Sequence, residues 1–230
     1  MLKIEKTVLP SAEQWQIIIE GMRNPMNSWD KMDSKFVRYA SDTCFEEPVT
    51  IGEADHKLMM QLAKAGTEHS KYRRMIPVYA TITAPLYWWK ESDTYMFKVQ
   101  NSCSTMHKIH SKEFTMDDFS HEHLIDEGYV RDGDTVFLSP MDCLREEVAT
   151  LNMFRNKYLE SNDKKWWWQM IQLLPTSYNQ KRTVFFNYEV LAKIYRERRK
   201  HKLDEWHTFC DWIKTLPYSE LITMEDEDVR

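Results

Sequence analysis

The chain has 230 residues, 42% hydrophobic and 29% charged, with 31 lysines and arginines against 36 aspartates and glutamates for a net charge of -5. That is enough length and apolar content for a sizeable core, and the interspersed signs argue against a protein that coats nucleic acid electrostatically. Five glycines exclude a glycine-rich phosphate loop of the Rossmann or P-loop kind, so a bound nucleotide has to be met by side chains or helix ends.

In chain order, Ser11 caps a helical pattern in which Trp15, Ile18 and Ile19 recur before Gly21. Residues 23 to 50 read as a long irregular connection rich in Asn, Asp and Ser, with a short strand around Phe36-Val37-Arg38. A helix is predicted from about Glu53 to Ala65, with Leu58, Met59 and Leu62 inward and Gly66 as its stop. His69 follows it. From Met75 to Thr83, Ile76, Val78, Ala80 and Ile82 alternate with Pro77, Tyr79 and Thr81, the period-two signature of a strand, and Pro77 places that strand at an edge or bulge.

Ala84-Pro85 breaks the strand and Leu86-Tyr87-Trp88-Trp89 opens an aromatic helix, with Glu91 and Asp93 just beyond its aromatic wall. The small polar cluster Asn101-Ser102-Cys103-Ser104-Thr105 reads as a loop, followed by a helical stretch over Met106 to Ser111. Thr115-Met116-Asp117-Asp118 is a helix start with a carboxylate at its third position. Ser139-Pro140 with Asp142 opens a long helix, broken at Ser161-Asn162-Asp163 and carried on through Trp166-Trp167-Trp168 to Leu173. Leu174-Pro175 ends it, Thr183 to Phe186 is a short strand or extended link, and helices over Asn187 to Arg198 and Asp204 to Lys214 complete the pattern. The second of these puts Trp206, Phe209, Cys210 and Ile213 on one side. The fold class expected is α+β, helices packed on a small sheet in one domain over residues 1 to 222, with an acidic, disordered tail over 223 to 230.

Cys44, Cys103, Cys143 and Cys210 show neither close pairing nor metal-finger spacing, and no signal-peptide pattern occurs at the N-terminus, so a reducing, cytoplasmic setting is expected. No stretch approaches the roughly 20 apolar residues of a membrane span. The tryptophan triplet sits among polar and charged residues and reads as core or subunit contact. His107 and His110, or His121 and His123, lack the partners of a tetrahedral zinc site, and no metal is expected.

Asn187 and Arg198 bracket an apolar stripe. Eleven residues at about 3.6 per turn bring Asn187, Leu191, Ile194 and Arg198 to one side of a helix. Two readings are open: Asn187 caps the helix and Arg198 offsets its negative end, or both ends of this face touch one anionic ligand. Arg196, Arg198, Arg199, Lys200, His201 and Lys202 put any phosphate-binding surface near the end of this helix, although a solvated face explains such a run equally well.

The order of His69, strand, Ala84-Pro85, aromatic segment, Asn101 to Ser104 and then Leu174-Pro175 with Asn187 to Arg198 resembles the flavin-dependent thymidylate synthases, over about residues 53 to 110 and 170 to 213. Asn187 and Arg198 match the family's later Asn and Arg at the same separation. Where the family has an Arg-His-Arg triplet this chain reads Thr94-Tyr95-Met96; the Gln before the triplet is Glu91, and the Arg after Ser104 is Met106.

The resemblance implies a homotetramer acting on a pyrimidine nucleotide, with FAD relaying hydride from NADPH and methylenetetrahydrofolate donating carbon to deoxyuridine monophosphate. By position it implies Glu91, Ser104 and Arg198 at the nucleotide and His69, Asn101 and Asn187 at the cofactor. The family's triplet faces flavin phosphates, and Thr, Tyr and Met supply no permanent charge there; Lys90, Lys98 and Lys108 supply point charges nearby. A derived, non-catalytic nucleotide-binding protein on the same scaffold is the alternative, and the comparison favours the ligand-face reading of Asn187 and Arg198.

Overall fold

The computed structural model describes residues 1–37 and 49–224; Arg38, Cys44 and the tail from 225 onward lie outside them. The chain opens with a strand without sequence warning, β1 (Lys3–Val8). Helix α1 (Ala12–Arg23) follows from a reciprocal capping box between Ser11 and Gln14, and it continues through Gly21. The connection expected to be irregular contains two 3-10 turns, Asn24–Met26 and Trp29–Lys31, and an antiparallel pair, β2 (Lys35–Phe36) with β3 (Val49–Thr50).

Helix α2 (Glu53–Lys64) starts at Gly52, which has no side chain to cap it. Asp33 supplies the cap from a distance: its carboxylate accepts the N–H groups of Ala54 at 2.9 Å and Asp55 at 3.0 Å. The Ala54 bond leads the causes that hold the Asp33 carboxyl below its ordinary range. Glycine is required here by close approach, since a Cβ on Gly52 would lie 2.3 Å from the Asp33 carboxylate carbon. Past the helix end, Gly66 takes φ 97°, the left-handed conformation of a helix stop.

Strand β4 (Pro77–Pro85) has the predicted alternation, with Val78, Ala80 and Ile82 buried. It is an interior strand, in a four-stranded sheet ordered β1-β4-β8-β5. Pro77 is tolerated because it is the first residue of the strand, where a missing N–H costs little, and not because it lies at an edge. Helix α3 (Leu86–Ser92) follows directly. The predicted loop at Asn101 is in part a strand, β5 (Val99–Ser102), and α4 (Thr105–Lys108) begins after Ser104. An antiparallel hairpin, β6 (Tyr129–Asp132) and β7 (Thr135–Leu138), closes on the two-residue loop Gly133-Asp134, with Gly133 at φ 59° in the first loop position.

Helix α5 (Pro140–Ser161) begins at the predicted Ser139-Pro140 signal, and α6 (Lys164–Leu173) follows the predicted break. The break has a local cause: Asn162 is left-handed at φ 51°, and Asp163 accepts the Lys165 N–H at 2.9 Å to cap the new helix. The apolar link predicted at Thr183 to Phe186 is the end of a longer strand, β8 (Asn179–Asn187), which leads into α7 (Tyr188–Arg198), α8 (Asp204–Lys214) and α9 (Glu220–Thr223). The α+β class is as expected.

The chain divides into two compact units interleaved in sequence: Met1–Lys3, Ile82–Thr94 and Asn101–Arg182 in one, Ile4–Thr81, Tyr95–Gln100 and Thr183–Arg230 in the other. The division passes through β4 and β8, so no composition shift could mark it. The first unit has a core of Ile109, Phe114, Phe119, Leu144, Leu151, Met170 and Tyr178, against which Trp167 packs partly buried. The second buries Trp15, Met59, Phe186, Leu191, Trp206 and Phe209.

Ser139 is fully buried, accepts the Asp142 N–H at 3.0 Å and donates to its carboxylate at 3.0 Å. Ser139→Ala is expected to lower unfolding free energy by about 1 kcal/mol, the usual worth of a helix cap, read from the urea midpoint; an unchanged midpoint would show that the cap contributes nothing.

Candidate functional site

The end of α7 brings polar and aromatic contacts around one of the predicted residues, Arg198. The helix is amphipathic, with Val190, Leu191 and Ile194 buried, and this fixes which side its last turn presents. Arg198, half-buried, donates from Nε to the Tyr95 hydroxyl at 2.8 Å. Its guanidinium carbon lies 5.6 Å from the Tyr95 ring centroid and 5.0 Å from that of Trp206, within cation–π range of both. Trp206 comes into reach because the chain turns sharply after the helix, the His201 N–H bonding the Arg198 carbonyl at 2.9 Å, and α8 then starts at Asp204. Tyr95 and Trp206 meet edge to face at 6.1 Å.

Tyr95 itself is 4% exposed, and burial pushes its hydroxyl up to about 12, so it stays protonated at neutral pH. Two residues on, Phe97 adopts φ 64° and stands 82% exposed, a left-handed conformation rare for a bulky residue and a sign that the turn is held by its neighbours. Sequence reading treated Tyr95 only as a departure from a family pattern and Trp206 only as core. The available signal was the short Tyr95-Met96-Phe97 apolar run between the polar residues Lys90 to Thr94 and Lys98.

At the other end of the helix, Asn187 is buried and its Oδ1 accepts the Val190 N–H at 3.0 Å. The cap reading of Asn187 is therefore realised. His69 is exposed at the head of a 3-10 turn, Ser70–Met75. The basic run separates by exposure: Arg196, Lys200 and Lys202 are exposed, whereas Arg198, Arg199 and His201 are half-buried.

In the other unit, Asn101 is exposed on β5 and Ser104 is exposed at the start of the four-residue α4, with no side-chain cap bond. Glu91 is half-buried on α3, and its carbonyl accepts the Thr94 hydroxyl at 2.7 Å. The aromatic wall beside it is tied into the fold: the Trp89 indole donates to the Gln180 carbonyl at 2.8 Å, and Arg182 lies over the Trp89 ring at 4.2 Å while reaching Asp93 at 2.9 Å. Asp93, just beyond that wall, is thus one half of an ion pair.

Among the described residues no group of three or more His, Cys, Asp or Glu is placed to hold a metal ion, and no helix is long and apolar enough to cross a membrane. Cys103, Cys143 and Cys210 are free thiols.

No protein-family model and no curated protein matches this sequence. The fold does have counterparts among solved structures, and it is that of the flavin-dependent thymidylate synthases. Thymidylate synthase X (ThyX) from Helicobacter pylori, with FAD and dUMP, superposes with a TM-score of 0.61 at 15% identity over 98% of this chain and 97% of that one. A second complex of flavin-dependent thymidylate synthase ThyX from Helicobacter pylori with FAD and dUMP gives 0.59 at 15% identity, covering 98% of both chains. The UMP/dUMP methylase PolB from Streptomyces cacaoi, bound with 5-Br dUMP, gives 0.55 at 14% identity over 97% of this chain and 94% of that one.

The fold family implies FAD, and the segment that would meet its phosphates does not fit them. Thr94 bonds the Glu91 carbonyl, Tyr95 is buried with its hydroxyl on Arg198, and Met96 is an exposed thioether. None carries a charge to offset a pyrophosphate.

Proposed function

We propose that this chain binds a pyrimidine nucleotide of the deoxyuridine monophosphate type, with Arg198 as its principal cationic contact. The observation that carries this reading is the fold shared almost end to end with three structures that hold dUMP or 5-Br dUMP. The state of Arg198 supports it: a half-buried guanidinium fixed against two aromatic rings is already ordered for an anion or a base edge. Glu91 and Ser104 are proposed as further nucleotide contacts, and His69, Asn101 and Asn187 as cofactor-side residues, each on the resemblance alone.

Calorimetric titration tests the reading. The wild type is expected to bind dUMP, and Arg198→Ala to bind it about 10- to 100-fold more weakly, the usual range for losing a charged hydrogen-bonding partner. An absence of dUMP binding by the wild type overturns the proposal, and an unchanged Kd in Arg198→Ala removes that residue from it. The purified protein is expected to lack flavin absorbance and to acquire none with added FAD; a yellow protein would restore the flavin reading.

Transfer of a one-carbon unit to the base is a second reading, favoured by the shared fold with a UMP/dUMP methylase. Incubation with dUMP, methylenetetrahydrofolate and NADPH, followed by mass analysis of the nucleotide, decides between a transferase and a binding protein.

A further inference from the structure

The residue that meets Arg198 is not one the chain's resemblance would supply, since Tyr95 stands in the middle of the segment set against a cationic triplet. Three restraints act on one guanidinium: its Nε donates to the Tyr95 hydroxyl at 2.8 Å, and its central carbon lies 5.6 Å from the Tyr95 ring centroid and 5.0 Å from that of Trp206. The Tyr95 oxygen accepts the Arg198 Nε–H, so the acceptor role of the phenol is the one that holds the guanidinium. Lys193 lies 5.9 Å from the same ring. An arginine on a flexible stem has many rotamers, and a ligand that must order it loses affinity in doing so. A hydroxyl bonded at Nε fixes the plane in which the terminal Nη donors lie.

We propose that Tyr95 is a positioning residue for nucleotide binding, holding Arg198 in the orientation that receives the ligand. This rests on the reading of Arg198 as a nucleotide contact. The role belongs to the hydroxyl. The ring alone packs against Trp206 at 6.1 Å and would do so equally as phenylalanine.

The experiment is a double-mutant cycle in dUMP affinity over wild type, Tyr95→Phe, Arg198→Lys and the double variant, with thermal midpoints measured on each. Tyr95→Phe keeps the buried ring and is expected to weaken dUMP binding about tenfold. Lysine at 198 has no Nε–H fork to be held, so in the Arg198→Lys background the same change is expected to alter Kd by less than about twofold. A purely structural Tyr95 would lower affinity equally in both backgrounds, and that additive result overturns the proposal. So does a Tyr95→Phe protein that binds dUMP as tightly as the wild type while Arg198→Lys does not; this outcome leaves the nucleotide reading standing. No dUMP binding by the wild type overturns both.

Discussion

Asp55→Ala is expected to destabilise the protein by about 3–5 kcal/mol, the cost of leaving one half of a buried ion pair without its partner. Asp55 is wholly buried and its Oδ1 sits 2.6 Å from Arg23 Nε, itself 4% exposed on the side chain. The other oxygen accepts three hydrogen bonds, from the Asp33 and Ser34 N–H groups at 3.0 and 2.9 Å and from the Ser34 hydroxyl at 2.6 Å. Alanine would strand the guanidinium and release the segment that brings Asp33 to cap α2. Urea denaturation followed by circular dichroism reads the loss, and a change below about 1 kcal/mol, the worth of an exposed pair, would show that this pair is not the anchor of its segment.

Phe209→Ala is expected to cost about 3–5 kcal/mol, as large-to-small changes at fully buried aromatic positions do. The Phe209 ring is fully buried and lies 5.7 Å from Phe186, 5.8 Å from Trp206 and 5.1 Å from Trp212. Its loss opens a cavity beside β8 and next to the tryptophan that backs Arg198. Phe209→Leu keeps most of the volume and is expected to lose less than half as much. Equal losses for the two variants in denaturant titration would mean that the site collapses around alanine.

The two variants differ in how visible they were in the sequence. Phe209 lies on a helix whose inward side, Trp206, Phe209, Cys210 and Ile213, follows from helical spacing, and all four are buried. The same holds for the alternation in β4, the Ser139-Pro140 start of α5 and the stop at Gly66. These signals are local, since each depends on dihedral preferences and solvent exposure within a few residues. Asp55 had no such signal. Its partner is 32 residues away, and a charge buried by a distant charge looks in sequence like any helix-surface carboxylate.

The candidate site divides along the same line. Helical geometry alone put Asn187 and Arg198 on one side of a helix and made the cap reading of Asn187 available. What Arg198 does there depended on Tyr95, brought across 103 positions, and on Trp206, placed by a turn that no periodicity announces. Strands β1 and β5 escaped notice because exposed, non-alternating residues carry no period, and their pairing is decided by neighbours far along the chain. By itself, then, the sequence determined where most helices begin and end, which faces they bury and that the class is α+β, because capping, spacing and hydropathy act locally. Only tertiary structure decided the buried Arg23–Asp55 pair, the sheet order and the aromatic clamp on Arg198, because each closes a long loop and is stabilised by desolvated contacts that exist only once the chain has folded.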